Sequence, residues 1–348
     1  MSESEPDAEA RDLLETLVSI PSPTPEEAEC AEALVGFFDD HDREVFIDDV
    51  GNVRAPADDA VLYTSHIDTV PGDIPVRIED GENGPELWGR GSVDAKGPLA
   101  ALAVAAVRTG VSFVGVVGEE VDSRGARHLI EVRDEPDAVV NGEPSGWDAT
   151  TLGYRGVLSG TYVATSESGH TSRPENNAIQ DAIAWWSAVE ARFDEDDEYE
   201  PVFERVTPKP VRIEGGTSDD GLAVEATLDV QLRVPPSYTS DEVRELADAE
   251  LAAGTVNWKD AVEPTMQSPR TPVARAFRAA IRSEGGDPRL LRKTGTADMN
   301  LYAGAWDCPM ATYGPGDSDL DHAPNEHIEL RELDRSVAVL ERVAEALQ

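Results

Sequence analysis

The chain has 348 residues, with 70 Asp plus Glu against 29 Lys plus Arg and a formal charge of −41. That length exceeds what one hydrophobic core organises and implies two domains. Acidity spread along the whole chain makes nucleic acid and anionic membrane poor partners. The longest apolar run, residues 99–107, falls far short of the roughly 20 residues that span a bilayer.

At ordinary ionic strength such a charge repels itself, whereas at molar salt the Debye length shrinks to about 3 Å. A salt-adapted, halophilic cytosol is therefore the expected setting. The acidic start, residues 1–9, lacks the basic-then-apolar pattern of a leader, so the expected location is the cytoplasm. Cys30 and Cys308 form no CxxC pair and read as buried side chains in a reducing compartment.

In chain order, residues 9–18 and 26–38 have helical apolar spacing, with Thr24 and Pro25 as cap and first-turn proline of the second helix. Residues 61–64 read as a strand, 98–107 as an Ala-rich helix, 111–117 as a strand, 123–132 as a helix and 138–140 as a third strand. Alternation of this kind implies an α/β sheet covered by helices.

The periodicity changes after about residue 153. Leu222, Val224, Ala226, Leu228, Val230, Leu232 and Val234 recur at period 2, the mark of a half-buried strand. Residues 157–166, 201–213 and 254–262 read as further strands, 241–251 as a helix and 194–200 as an acidic loop. Ile179, Ala182, Ile183, Trp186, Val189 and Phe193 recur at helical spacing, and Trp185 and Trp186 read as core or interface side chains. The order strand, helix, strand, strand, helix, strand implies a small ferredoxin-like domain. From residue 265 the first style returns, with a helix through Val273, Phe277 and Ile281, a strand at 308–313 and a closing helix at 330–347. The expected organisation is a domain of residues 1–152 and 265–348 interrupted by an insert, 153–264.

Open α/β sheets gather ligands at the carboxyl ends of their strands. His66 follows the strand at 61–64, Glu119 and Glu120 follow 111–117, and Glu143 follows 138–140. With Asp94 and His322 they form a mixed imidazole and carboxylate set that suits zinc, cobalt or manganese, and a carboxylate such as Asp94 can bridge two ions. Asp68, two residues beyond His66, is the expected carboxylate partner of that imidazole. Of the paired glutamates, Glu120 is the expected ligand and Glu119 the general base. Among 70 acidic residues any one such group is by itself more often a solvated surface than a site. His41 and His128 read as surface histidines, and His327 is a weaker metal candidate than His322.

Five segments carry a resemblance: Ser65-His66-Ile67-Asp68-Thr69-Val70-Pro71, Trp88 through Gly97, Gly118-Glu119-Glu120, Gly142-Glu143-Pro144 and His322-Ala323-Pro324-Asn325-Glu326. In this order the chain resembles the co-catalytic metallopeptidase family of aminoacylase, acetylornithine deacetylase and succinyl-diaminopimelate desuccinylase. The resemblance implies a mixed-sheet catalytic domain with an inserted lid and dimerisation domain. It also implies two divalent ions per subunit, Zn2+ or Co2+, one held by His66, Asp94 and Glu143 and the other by Asp94, Glu120 and His322.

The resemblance further places a lid histidine, His170, on the developing oxyanion, a lid arginine, Arg233, on a substrate carboxylate, and Thr296 in a substrate-facing loop. On pattern alone Arg233 reads equally well as a surface residue of its strand. Residues 292–300 and 17–22 are most similar to family members that release lysine or ornithine from an amino-group carrier protein, as homodimers. A small-molecule deacylase with a different pocket and a non-catalytic binding protein on the same fold are the alternatives.

Overall fold

The computed structural model describes residues 6–169, 172, 174–194, 201–259 and 261–348. The chain divides into two compact units, one of residues 1–152, 267–291 and 297–348, the other of residues 153–266 and 292–296.

In the first unit a mixed sheet runs in the order Phe46–Ile47, Val53–Ala55, Val111–Val116, Asp58–His66, Val139–Gly142, Met310–Thr312, Ala149–Tyr154. Asp58–His66 pairs in parallel with both Val111–Val116 and Val139–Gly142. All of Val111–Val116 is buried, as in strands covered on both faces, which read as continuous apolar runs. Helix Lys96–Thr109 is buried from Lys96 to Ala106; its alanines favour helix and let neighbours approach closely, and Gly110 ends it in the left-handed region at φ 73°. Helix Leu330–Leu347 turns Leu333, Val337, Leu340 and Val343 into the same core.

Register positions the site. His66 lies opposite Val116, and Ser65 opposite Gly142, so three parallel strands end level and the segments that follow leave the sheet at one edge. Gly142 permits this packing, because a Cβ there would meet Leu102 Cδ1 at 2.4 Å and Ser65 Cβ at 2.7 Å. Gly118, at φ 75°, turns the chain after Val111–Val116.

The second helix begins only at Ala28, with Glu27 at its N-cap. Thr24 is not its cap: the hydroxyl donates instead to Asp68 Oδ2 at 2.7 Å, a tertiary bond that outcompetes local capping. A small three-stranded sheet of Arg77–Gly81, Gly84–Trp88 and His327–Glu329, absent from the sequence reading, joins the segments around Asp94 and His322.

The second unit is an antiparallel sheet in the order Thr207–Thr217, Ala223–Val234, Gly156–Glu167, Thr255–Trp258, with helices Ala178–Phe193 and Ser240–Asp248. This is the ferredoxin-like arrangement. Ala226, Leu228, Val230, Leu232 and Val234 face its core with Tyr162 and Trp185, whose rings stack at 4.9 Å. The strand expected at 201–213 starts at Thr207, because residues 202–207 wrap the Arg155 guanidinium: Nη1 donates to the carbonyls of Val202 and Arg205 and to Thr207 Oγ1. The strand expected at 254–262 is confined to Thr255–Trp258. Of the loop expected at 194–200, residues 195–200 lie outside the described residues.

Candidate metal centre

His66 is the last residue of its strand and is 1% exposed. Its Nε2 lies 3.2 Å from Asp94 Oδ1 and 4.0 Å from Glu143 Oε2. On the other side the ring Nδ1 meets the backbone carbonyl of Asp68 at 2.9 Å, which places the N–H there and leaves Nε2 as a donor atom for a cation. The expected carboxylate partner therefore becomes a main-chain one, and the Asp68 carboxylate stands at 3.6 Å.

That carboxylate has another task. It accepts the backbone N–H groups of Glu119 at 3.0 Å and Glu120 at 3.1 Å together with the Thr24 hydroxyl, and so pins the turn carrying both glutamates. Burial alone would raise its pKa; His66, Thr24 and the Glu120 N–H outweigh burial and hold it at about 2.

Around Asp94 a second triad closes. His322 Nε2 lies 3.2 Å from Asp94 Oδ2 and 3.1 Å from Glu120 Oε2. Burial opposes charge on Asp94, but His322 and His66 keep its carboxyl well below the usual range. The hydrogen bond to Asp94 and the charge of Glu120 push His322 up to about 9. Each triad, His66–Asp94–Glu143 and Asp94–Glu120–His322, offers donor atoms within 4.8 Å of one another, and the two share Asp94.

Glu119 belongs to neither triad. Burial, then the charge of Glu143, raise its carboxyl well above the ordinary value, and burial likewise raises Glu120. Glu119 and Glu120, whose carboxyls resist ionisation, converge on His66, oriented by a main-chain carbonyl, and on His322, and two divalent cations would offset the carboxylate charge gathered there. The donor set of imidazole and carboxylate, with one carboxylate common to both groups, fits that pair.

The first unit alone thus gathers His66, Asp68, Asp94, Glu119, Glu120, Glu143 and His322. Arg233 and Thr296 belong to the second unit, and His170 lies outside the described residues. Arg233 is half-buried, and its Nη1 has no hydrogen-bond partner among the described residues. His327 belongs to neither triad and stacks on Trp88 at 4.3 Å. One residue escaped the sequence reading: Asp298, at 1% exposure, has Oδ1 without a partner among the described residues, and burial pushes it up to about 7. Its only signal was a place in the segment after Thr296.

Residues 62–346 match the model of peptidase family M20/M25/M40. The chain belongs to that family. Among M20 relatives, the LysW-lysine hydrolase of Deinococcus radiodurans is 39% identical over 357 residues, covering 96% of each chain. The LysW-lysine/LysW-ornithine hydrolase of Sulfurisphaera tokodaii is 32% identical over 278 residues, covering 78% of this chain and 77% of that one. The crystal structure of aminopeptidase PepT from Bacillus cereus shares the M20 fold, with a TM-score of 0.77 over 97% of this chain and 98% of that one at 22% identity. This M20 chain is a metal-dependent hydrolase.

Proposed function

We propose that the protein hydrolyses the amide joining lysine or ornithine to the C-terminal glutamate side chain of an amino-group carrier protein, in lysine and arginine biosynthesis. The observation that carries this reading is the pair of triads sharing Asp94, with Glu119 beside them, in a chain aligned almost end to end with a LysW-lysine hydrolase.

Two divalent ions, Zn2+ or Co2+, would be held by His66, Asp94 and Glu143 and by Asp94, Glu120 and His322, and would supply Lewis acidity toward the amide carbonyl. Glu119 takes a proton from the attacking water and delivers it to the departing amine nitrogen, so the C–N bond breaks as a C–O bond forms. Asp68 orients this apparatus through the Glu119 and Glu120 N–H groups. His170 donates to the developing oxyanion. Arg233 receives a substrate carboxylate, which supplies the partner its buried Nη1 lacks among the described residues, and Thr296 stands in a substrate-facing loop.

The homodimer is supported by strand Thr207–Thr217, an edge of its sheet with Val211 and Ile213 exposed, the kind of edge that pairs with another chain. The charge of −41 supports a halophilic cytoplasm. Among the described residues no helix is long and apolar enough to cross a membrane.

The test offers carrier-linked lysine, carrier-linked ornithine and acetylornithine in parallel, in molar KCl with added zinc or cobalt. Release from a carrier substrate is expected. Release from acetylornithine alone would replace the reading with a small-molecule deacylase, and release from none of the three would leave the fold standing and the carrier reading without support.

A further inference from the structure

Asp94 is the one donor common to both triads, yet it lies in a connecting segment between strand Gly84–Trp88 and helix Lys96–Thr109. A bridging carboxylate in a loop needs its main chain fixed from outside, because loops are the mobile parts of a fold.

Glu326 does this. Fully buried, its carboxylate accepts Val93 N at 2.9 Å and Asp94 N at 3.1 Å on Oε1, and Gly91 N at 3.0 Å and Arg90 Nη1 at 2.7 Å on Oε2. Both oxygens are fully used, by main-chain donors and a guanidinium, and hydrogen bonds to an ionised acceptor are the strong ones. Glu326 is itself anchored: the next residue, His327, pairs with Trp88 across the small sheet and stacks on its ring. Four residues before it stands His322, held in the left-handed region at φ 60°. One carboxylate therefore ties the loop of the shared donor to the loop of the second triad's imidazole.

We infer that Glu326 is a positioning residue that sets Asp94 against His322, and that the second metal site depends on it although it touches neither ion nor substrate. The inference rests on the two-ion reading of the triads.

The test is Glu326→Gln, which keeps one acceptor oxygen but turns an amide NH2 toward two of the donors. The readouts are zinc affinity by chelator competition and the visible spectrum of the cobalt-loaded protein. Residues supporting a ligand typically carry about 10- to 100-fold in metal affinity, and a loss of that size at one site of two is expected, with an altered cobalt spectrum. In assays kcat should fall with KM unchanged, and Glu326→Asp should restore part of the affinity. Should Glu326→Gln fail to fold, Arg90→Met removes one donor and is expected to weaken the same site by a smaller factor. Wild-type affinity and spectrum in the variant that folds would overturn the inference. A wild-type protein that binds no metal would overturn the two-ion reading itself, whereas a wild-type protein that binds two ions but releases nothing from the carrier would overturn the proposed substrate and leave the role of Glu326 standing.

Discussion

Glu119→Gln is expected to lower turnover by about 100- to 10,000-fold, the range that a positioned general base supplies, while the protein keeps two ions per chain. Glutamine matches the shape of glutamate, and the main chain at residue 119 is held by Asp68, so the substitution leaves the triads in place. What it removes is the capacity to accept a proton. A stability consequence follows from electrostatics. Burial and the charge of Glu143 raise the Glu119 carboxyl, so the folded state binds its proton more tightly than the unfolded state does. Ionised Glu119 therefore costs stability above the unfolded carboxyl pKa, and at neutral pH the chelated variant should melt no lower than the chelated parent. Metal analysis beside initial rates makes the decision: loss of an ion from Glu119→Gln would make Glu119 a ligand and require another base.

His66→Ala is expected to act on the opposite quantity. The imidazole is buried, its Nδ1 is committed to the Asp68 carbonyl, and its Nε2 faces Asp94 and Glu143. Removing it deletes a donor of the first triad, so the affinity loss should exceed the about 10- to 100-fold typical of residues that merely support a ligand. Thermal melts with and without zinc read this directly. A bound ion stabilises the folded state by about 2.7 kcal/mol at a free concentration 100 times Kd. The parent should gain in Tm on adding zinc, whereas His66→Ala should gain much less at the same concentration. Equal gains in both proteins would remove His66 from the ligand set.

The sheet was legible where burial is on both faces. Residues 111–117 and 138–140 are mostly apolar runs, with Ser112 the one polar side chain, its hydroxyl bonded to Ala57 N and Asp59, and they form strands Val111–Val116 and Val139–Gly142. Strand Ala149–Tyr154 is equally buried but carries Thr150 and Thr151, which read as polar in sequence. Strand Arg77–Gly81 is largely exposed and shows no alternation, so the small sheet that holds the Asp94 and His322 segments was invisible. Most of the donor residues stood out because they follow a strand or a glycine turn, as His66, Asp94, Glu120 and Glu143 do, whereas His322 follows the short turn Ser318–Leu320. What their supports do was not legible: Asp68, expected to hold the His66 ring, acts on the Glu119 and Glu120 N–H groups, and Glu326 on those of Gly91, Val93 and Asp94. A carboxylate bound to distant main-chain donors leaves no spacing in the sequence.

The central claim, two-ion amide hydrolysis of a carrier-linked amino acid, is tested most directly by removing and restoring the metal. The protein is stripped with a chelator in molar KCl, assayed for lysine release from the carrier, and titrated with zinc or cobalt. Release is expected to vanish on stripping and to return in full only as the second equivalent per chain is bound. Release that survives complete removal of metal, or that is fully restored by a single equivalent, would contradict the account.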